Sequence, residues 1–247
     1  MSGRRLLALF GAAAWLWLAS AAGADNARDV AVELVLAVDA SSSINDSEWR
    51  LELDGIAAAF RAREVRDLIA ALPHHRIAVS MLIWGAAYQG HDTTGWRLID
   101  GNGAADRLAA DVAAYPRRID GGTAMGEGVA ASLRLLSVAP YDAPRRIIDV
   151  SGDGSESPPF LGPLVMMPEA RNMAKAAGVT INGLAIVNQE PDLLEWYDLN
   201  LKTGPGAFVM RAQRMQDFAT AFKAKLLREL LPEVSEQARP SKTASLR

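Results

Sequence analysis

Three oxygen-bearing side chains follow an apolar run in the first fifth of the chain. Residues 32–38 read Val-Glu-Leu-Val-Leu-Ala-Val, and Asp39, Ser41 and Ser43 come next at alternate positions. An almost unbroken apolar run of this length predicts a buried strand, and open α/β sheets place their functional sites at the carboxyl ends of strands. Three oxygen-bearing side chains so close together in the sequence are suitable ligands for a hard divalent cation. The spacing therefore predicts a cation site at the end of this strand.

Two later loops carry the same kinds of oxygen. Thr123 lies in the glycine-rich stretch Asp-Gly-Gly-Thr-Ala-Met-Gly at residues 120–126, ahead of a predicted helix. Asp153 lies in Ser-Gly-Asp-Gly at residues 151–154, directly after an apolar run. Each pattern alone is also that of an ordinary turn or helix cap. Taken with the first loop, they predict two carboxylates and three hydroxyls at one edge of a sheet.

Alternating apolar runs and helical periodicities supply the elements that would position these loops. Strands are predicted within 32–43 and at 76–84, 96–99, 146–151, 180–187 and 207–210. Helices are predicted at 45–72, as one helix or two, and at 104–114, 125–137, 169–177, 192–201 and 215–231. This order predicts a Rossmann-like, doubly wound α/β fold with a mainly parallel six-stranded sheet flanked by helices. Residues 28–232 are expected to form one domain.

The two ends of the chain have the composition of segments outside the fold. Arg4 and Arg5 precede an apolar run at residues 6–18, and Ala-Gly-Ala at 22–24 fits a cleavage site. We therefore expect a signal peptide at residues 1–24, with an uncleaved anchor helix as the alternative and the export route, general or twin-arginine, left open. No later apolar stretch is long enough to span a membrane. A bacterial periplasmic or secreted location follows, and the polar residues 233–247 are expected to be disordered.

Composition argues against several other kinds of site. A net charge of −3 provides no basic field, so a nucleic-acid partner is not expected. The absence of Cys excludes disulfides, thiolate metal sites and a cysteine nucleophile. The histidines are His74, His75 and His91, and no Gly-x-Ser-x-Gly elbow is present, so a Ser/His hydrolase has little support. The glycines at 121–128 lack a P-loop lysine.

Several other charged residues are expected to lie in exposed loops. The pairs Arg117-Arg118 and Arg145-Arg146 fit solvated loop charges, although the first pair could steer an acidic partner toward the site. Glu156 is either solvated or placed to adjust the charge beside the cation.

The five oxygen-bearing residues resemble the metal-ion-dependent adhesion site of the von Willebrand factor type A (vWA) domain. That site is written Asp-x-Ser-x-Ser, then a Thr in a glycine-rich loop, then Asp-Gly after a strand, and here Asp39, Ser41, Ser43, Thr123 and Asp153 match it in order. The resemblance covers residues 30–231. With the predicted signal peptide, the whole pattern is similar to an uncharacterised family of secreted bacterial proteins built on this domain.

The resemblance implies that the site binds a cation and, through it, an acidic group of a partner. Ser41 and Ser43 would coordinate Mg²⁺ (or Mn²⁺ or Ca²⁺) directly, Thr123 directly or through water, and Asp39 and Asp153 largely through water. A position left open on the cation would take an Asp or Glu of a protein partner. We therefore expect a metal-dependent protein-binding module rather than an enzyme. The alternatives are a metal-dependent hydrolase on a Rossmann-like sheet and a structural vWA module whose metal site is vestigial.

Overall fold

The computed structural model describes residues 26–157 and 164–231 of the 247-residue chain. The predicted signal peptide and the predicted C-terminal tail lie outside these residues. The strands of the described part are β1 (Glu33–Asp39), β2 (Ile77–Trp84), β3 (Asp92–Thr93), β4 (Arg97–Ile99), β5 (Arg146–Gly152), β6 (Thr180–Ile186) and β7 (Val209–Ala212).

These strands form one mainly parallel sheet. Its order is β3-β2-β1-β5-β6-β7, with β4 also paired to β2. The strands from β2 through β1, β5 and β6 to β7 are parallel, whereas β3 and β4 pair antiparallel to β2. The predicted α/β architecture is confirmed. The sheet has one strand more than predicted because β3 contains only two residues, which is too short to leave an alternating pattern in the sequence.

Helices cover both faces of the sheet. They are α1 (Asp46–Arg61), α2 (Arg63–Ala71), α3 (Asn102–Ala113), α4 (Met125–Ser137), α5 (Met167–Ala176), α6 (Leu193–Trp196), which continues into a π-helical turn (Tyr197–Leu201), and α7 (Phe218–Leu230). The segment predicted as one helix or two is two, because Ala62 adopts an extended backbone between α1 and α2. Within the described ranges, no helix is long and apolar enough to cross a membrane.

The central strand β1 is buried along its whole length and faces two apolar cores. Leu34, Leu36 and Val38 point to the core beneath α1, α3 and α7. Val35 and Ala37 point to the core beneath α4 and α5. Each large aliphatic side chain buried in this way contributes about 1.5–3 kcal/mol. The strand that leads to Asp39 is therefore held from both sides.

A buried polar network interrupts the apolar contact between the sheet and α7. Lys225 is fully buried, and its Nζ lies 2.5 Å from Asp149 Oδ1 and 2.6 Å from Glu229 Oε1. The Asn182 side chain donates to the same Glu229 oxygen over 2.9 Å. Buried charges are tolerated only when paired in this way. The apolar periodicity of the sequence gave no sign of this network.

Candidate metal centre

Asp39 ends β1 and organises the loop that follows it. Its side chain is completely buried, and Oδ1 accepts a 2.7 Å hydrogen bond from the backbone N–H of Ser41. Because β1 lies between β2 and β5, its carboxyl end opens at the middle of the sheet edge. The Asp39 carboxylate thus fixes the direction in which Ser41 leaves the strand.

The two serine hydroxyls lie side by side, and Asp153 joins them from another strand end. Ser41 Oγ and Ser43 Oγ are 3.1 Å apart, and Ser43 Oγ donates to Asp153 Oδ1 over 2.6 Å. Two ligands at right angles around Mg²⁺, each at about 2.1 Å, are about 3.0 Å from one another. The spacing of the hydroxyls therefore suits neighbouring positions of an octahedral cation.

Thr123 lies on the adjoining loop, which the backbone joins to the serine loop. Ser42 N donates to Gly121 O over 2.8 Å, and Gly121 N donates to Ser42 Oγ over 2.9 Å. Gly121 has φ of 85°, and a Cβ there would lie 2.7 Å from Ala86 Cβ, so both conformation and space require glycine. Within the described chain, no hydrogen bond connects the Thr123 hydroxyl to the other four residues. Hydrogen bonds thus link four of the five predicted residues, and loop pairing brings the fifth to the same edge.

A second buried layer lies behind these residues. Glu52 from α1 accepts a 2.6 Å hydrogen bond from Ser151 Oγ and is completely buried, as is Tyr197. Gly152 permits this packing, because a Cβ there would lie 2.8 Å from both Asp39 Oδ2 and Tyr197 OH. Sequence reasoning missed Glu52 and Tyr197. Both come from helices and sit among residues of ordinary helical pattern.

Burial disfavours negative charge throughout this cluster. It raises the pKa of Asp39 to about 7, an effect that the hydrogen bonds from Ser41 oppose and the charge of Asp153 reinforces. Burial also raises the pKa of Asp153, and it raises that of Glu52 well above the usual range. A divalent cation placed beside the carboxylates would favour their ionised forms.

The donor set fits a hard divalent cation. Asp39 Oδ2 is buried without a hydrogen-bond partner in the described chain, and such an atom calls for a water molecule or an ion. Among the residues that the structure describes, no three His, Asp or Glu side chains form a metal-ligating group. A cation at this edge would therefore depend on the hydroxyls of Ser41 and Ser43. In the vWA pattern, the hydroxyl of Thr123 would be a third ligand, bound directly or through water.

Arg117 departs from its expected role as an exposed loop charge. Its side chain is only 18% exposed, and Nη2 donates to Ala40 O over 3.1 Å and to Ser41 O over 2.9 Å. Nη1 also reaches Asp46 Oδ1, at 3.1 Å. The guanidinium therefore holds the serine loop against the start of α1. Its neighbour Arg118 is exposed as expected and pairs with Asp92.

Two further side chains at this edge act through hydrogen bonds. Gln189 Nε2 lies 3.1 Å from Asp153 Oδ2 and 3.0 Å from Ser43 O, so it positions the same loop from the end of β6. Glu156 accepts from Gly126 N over 2.8 Å and from Met167 N over 2.9 Å. Glu156 thus caps the first turns of α4 and α5 and is not a solvated charge. Nothing in the sequence around Gln189 predicts that its side chain contacts the candidate site.

Residues 29–234 match the model of a known family, described as "Protein of unknown function (DUF1194)". The chain belongs to this family. No curated protein matches the sequence.

Solved structures show the fold more directly. The pilus adhesin SpaC from Lactobacillus rhamnosus GG aligns with a TM-score of 0.56 at 11% identity, over 81% of this chain and 30% of the adhesin. The PilB minor pilin from Streptococcus sanguinis aligns with a TM-score of 0.54 at 13% identity, over 82% of this chain and 63% of the pilin. The VWA domain of SpRpn10 aligns with a TM-score of 0.51 at 15% identity, over 76% of this chain and 93% of that domain. The protein therefore has a vWA-like fold, and it spans less than two thirds of the adhesin and of the pilin.

Proposed function

We propose that the protein is a secreted or periplasmic vWA-like module that binds Mg²⁺ (or Mn²⁺ or Ca²⁺) and, through the cation, an acidic side chain of a protein partner. The hydroxyl pair carries this proposal: Ser41 Oγ and Ser43 Oγ lie 3.1 Å apart, and Asp153 accepts a hydrogen bond from the Ser43 hydroxyl. That hydrogen bond directs the lone pairs of the Ser43 oxygen away from Asp153. The similarity of fold to a pilus adhesin and a minor pilin supports a role in adhesion or protein binding.

The arrangement of the carboxylates favours an external acidic ligand. Asp39 Oδ1 is engaged with Ser41 N, and both oxygens of Asp153 accept hydrogen bonds, from Ser43 and from Gln189. Carboxylates that act through hydroxyls and water neutralise a cation less completely than direct ligands do. The remaining positive charge would attract a carboxylate from a partner, which is the chemistry proposed here.

The metal proposal predicts a stabilisation that depends on the serine loop. At a concentration of about 100 times Kd, a ligand of the folded state stabilises by about 2.7 kcal/mol. For a chain of this size, we expect Mg²⁺ or Mn²⁺ to raise Tm by about 5–10 °C at constant ionic strength. Ser41→Ala, Ser43→Ala and Asp39→Ala should each lose most of this rise, measured by calorimetry or thermal fluorescence.

A hydroxyl elsewhere in the chain supplies the matched control. Ser137 lies exposed at the end of α4, where its Oγ donates to Arg134 O, and Ser137→Ala should respond to Mg²⁺ as the wild type does. Equal responses in wild type, Ser41→Ala and Ser43→Ala would show that the site does not bind the cation. That result would favour a structural vWA module with a vestigial site.

Partner capture is tested separately from cation binding. We expect the immobilised protein to capture a protein from a periplasmic extract of its source bacterium in Mg²⁺, to release it in EDTA, and to recapture it when Mg²⁺ is restored. Ser43→Ala should not capture it, whereas Ser137→Ala should. Capture that persists in EDTA would contradict a metal-bridged interface even if the cation binds.

A further inference from the structure

A cavity of about 280 Å³ with a mixed polar and apolar lining lies at the opposite edge of the sheet from Asp39. It opens at the amino ends of β5 and β6, next to the last turn of α7. Three arginines, Arg145, Arg146 and Arg228, line it together with the buried side chains of Asn182, Phe208 and Glu229. We call it the arginine cavity. No feature of the candidate metal centre lies within it.

Arg228 presents an exposed guanidinium that rests on an aromatic ring. Its Cζ lies 3.8 Å from the centroid of the Phe208 ring, a cation–π distance. Within the described residues, the guanidinium makes no hydrogen bond or ion pair. The contact with Phe208 restrains the group and leaves its five N–H donors available to a ligand. A planar fork of this kind suits a carboxylate or a phosphate.

The other two arginines are held by the ends of helices. Arg145 Nη2 donates to Glu229 O over 2.5 Å, near the end of α7. Arg146 Nη2 donates to Ala177 O, just after α5. These bonds stabilise the helix ends and fix the positions of both guanidiniums. The bond to Ala177 occupies one of the five N–H donors of Arg146.

The polar residues beneath the arginines do not cancel their charge. Glu229 is buried, and its Oε2 has no hydrogen-bond partner in the described chain. Burial and the charge of Asp149 raise the pKa of Glu229, although Lys225 opposes the shift. Lys225 pairs with both Asp149 and Glu229. The cavity is lined by three arginines and one acidic side chain, that of Glu229, so its lining keeps a net positive charge.

We propose that the arginine cavity binds a small organic anion through a carboxylate or phosphate group. Arg228 and Arg146 would hold the anionic group, and the apolar surface of Ile147, Pro205 and Leu231 would contact the rest of the molecule. This site is independent of the proposed cation and of its partner.

The test measures the thermal response of the full chain to defined probes. The probes are inorganic phosphate, phenyl phosphate and benzoate, with benzyl alcohol as the neutral control, all at matched ionic strength. We expect phenyl phosphate or benzoate to raise Tm, with an effect larger than that of inorganic phosphate, and benzyl alcohol to have none. The stronger of the two organic anions identifies the anionic group that the cavity prefers.

Variants test whether the rise of Tm comes from binding in the cavity. Arg228→Gln and Arg146→Gln should each weaken binding of the effective probe by about tenfold or more, since each removes a charge-assisted hydrogen bond. Arg211→Gln, at an exposed position on β7, removes the same charge outside the cavity and should bind as the wild type does. Asp39→Ala should also keep the response, which separates this site from the metal centre. Arg228→Gln also loses the contact with Phe208, so its Tm without a probe can differ from that of the wild type. Binding is therefore measured as the change in Tm that the probe produces in each variant.

Two results would overturn the proposal. The first is no response of the wild type to either organic anion. The second is a response in Arg228→Gln and Arg146→Gln equal to that of the wild type.

Discussion

At the scale of single residues, Gly152 decides whether the candidate metal centre can assemble. The last position of β5 lies against Asp39 Oδ2 and Tyr197 OH, and a Cβ would approach each to 2.8 Å. A methyl group at that distance must displace one of the two buried side chains. The conformation of Asp39, and with it the backbone of Ser41, therefore depends on a residue that carries no chemistry of its own.

Gly152→Ala should accordingly disturb both stability and the metal response. Overpacking of a close contact costs about 1–3 kcal/mol, and we expect a lower unfolding free energy in urea together with a reduced rise of Tm in Mg²⁺. Gly154→Ala is the matched control, because the nearest atom to a Cβ there is Glu190 Oε2, at 4.0 Å. If the two variants behave alike, the contact around Asp39 does not control the site.

At the scale of elements, the start of α1 fixes where the serine loop ends. Asn45 caps the helix by accepting hydrogen bonds from Ser47 N and Glu48 N, and Glu48 accepts in return from Asn45 N. Arg117 holds the other side of the same loop through Ala40 O and Ser41 O. The loop that carries the hydroxyls is thus held by a helix cap and by a guanidinium.

Asn45→Ala should weaken this helix start. Loss of an N-cap side chain costs about 0.5–2 kcal/mol, and we expect a decrease of this size in the free energy of unfolding measured with urea. Asn45→Ser keeps an oxygen acceptor for the first turn and should retain most of the stability. A loss as large in Asn45→Ser as in Asn45→Ala would show that the cap does not contribute through its hydrogen bonds.

At the scale of the whole molecule, buried acids make stability depend on pH. The pKa of Glu229 rises to about 8 in the folded protein through burial and the charge of Asp149, with Lys225 opposing, whereas in the unfolded chain it is about 4.3. Between these values the folded state holds a proton that the unfolded state has released. The free energy of unfolding therefore falls as pH rises through this interval.

Glu229→Gln should flatten this dependence. The amide cannot titrate, so we expect the variant to lose less stability than the wild type between pH 5 and pH 8, as measured by urea unfolding at several pH values. Glu33, whose pKa burial raises to about 7, should leave part of the slope in place. Glu169→Gln, at an exposed position in the first turn of α5, is the control and should keep the slope of the wild type. An unchanged slope in Glu229→Gln would show that this carboxyl is ionised in the folded protein.

The order of the helices and of every strand except β3 could be predicted from the sequence, as could the positions of Asp39, Ser41, Ser43 and Asp153 at strand ends. Local signals suffice for these features, because an apolar run, a proline or a glycine acts within a few residues. The predicted bounds of β7 were wrong: the strand spans Val209–Ala212 and not residues 207–210. A short strand at the edge of the sheet is set by its pairing with β6 more than by its own pattern.

The surroundings of the predicted residues depend on the tertiary structure. Glu52, Tyr197, Gln189 and Arg117 reach the candidate metal centre from other elements, and the hydrogen bond between Ser43 and Asp153 joins residues 110 positions apart. The arginine cavity likewise combines the ends of β5, β6 and α7. Contacts of this kind depend on how the helices pack across the sheet, and helical or strand periodicity carries no information about which distant side chain a buried polar group will meet.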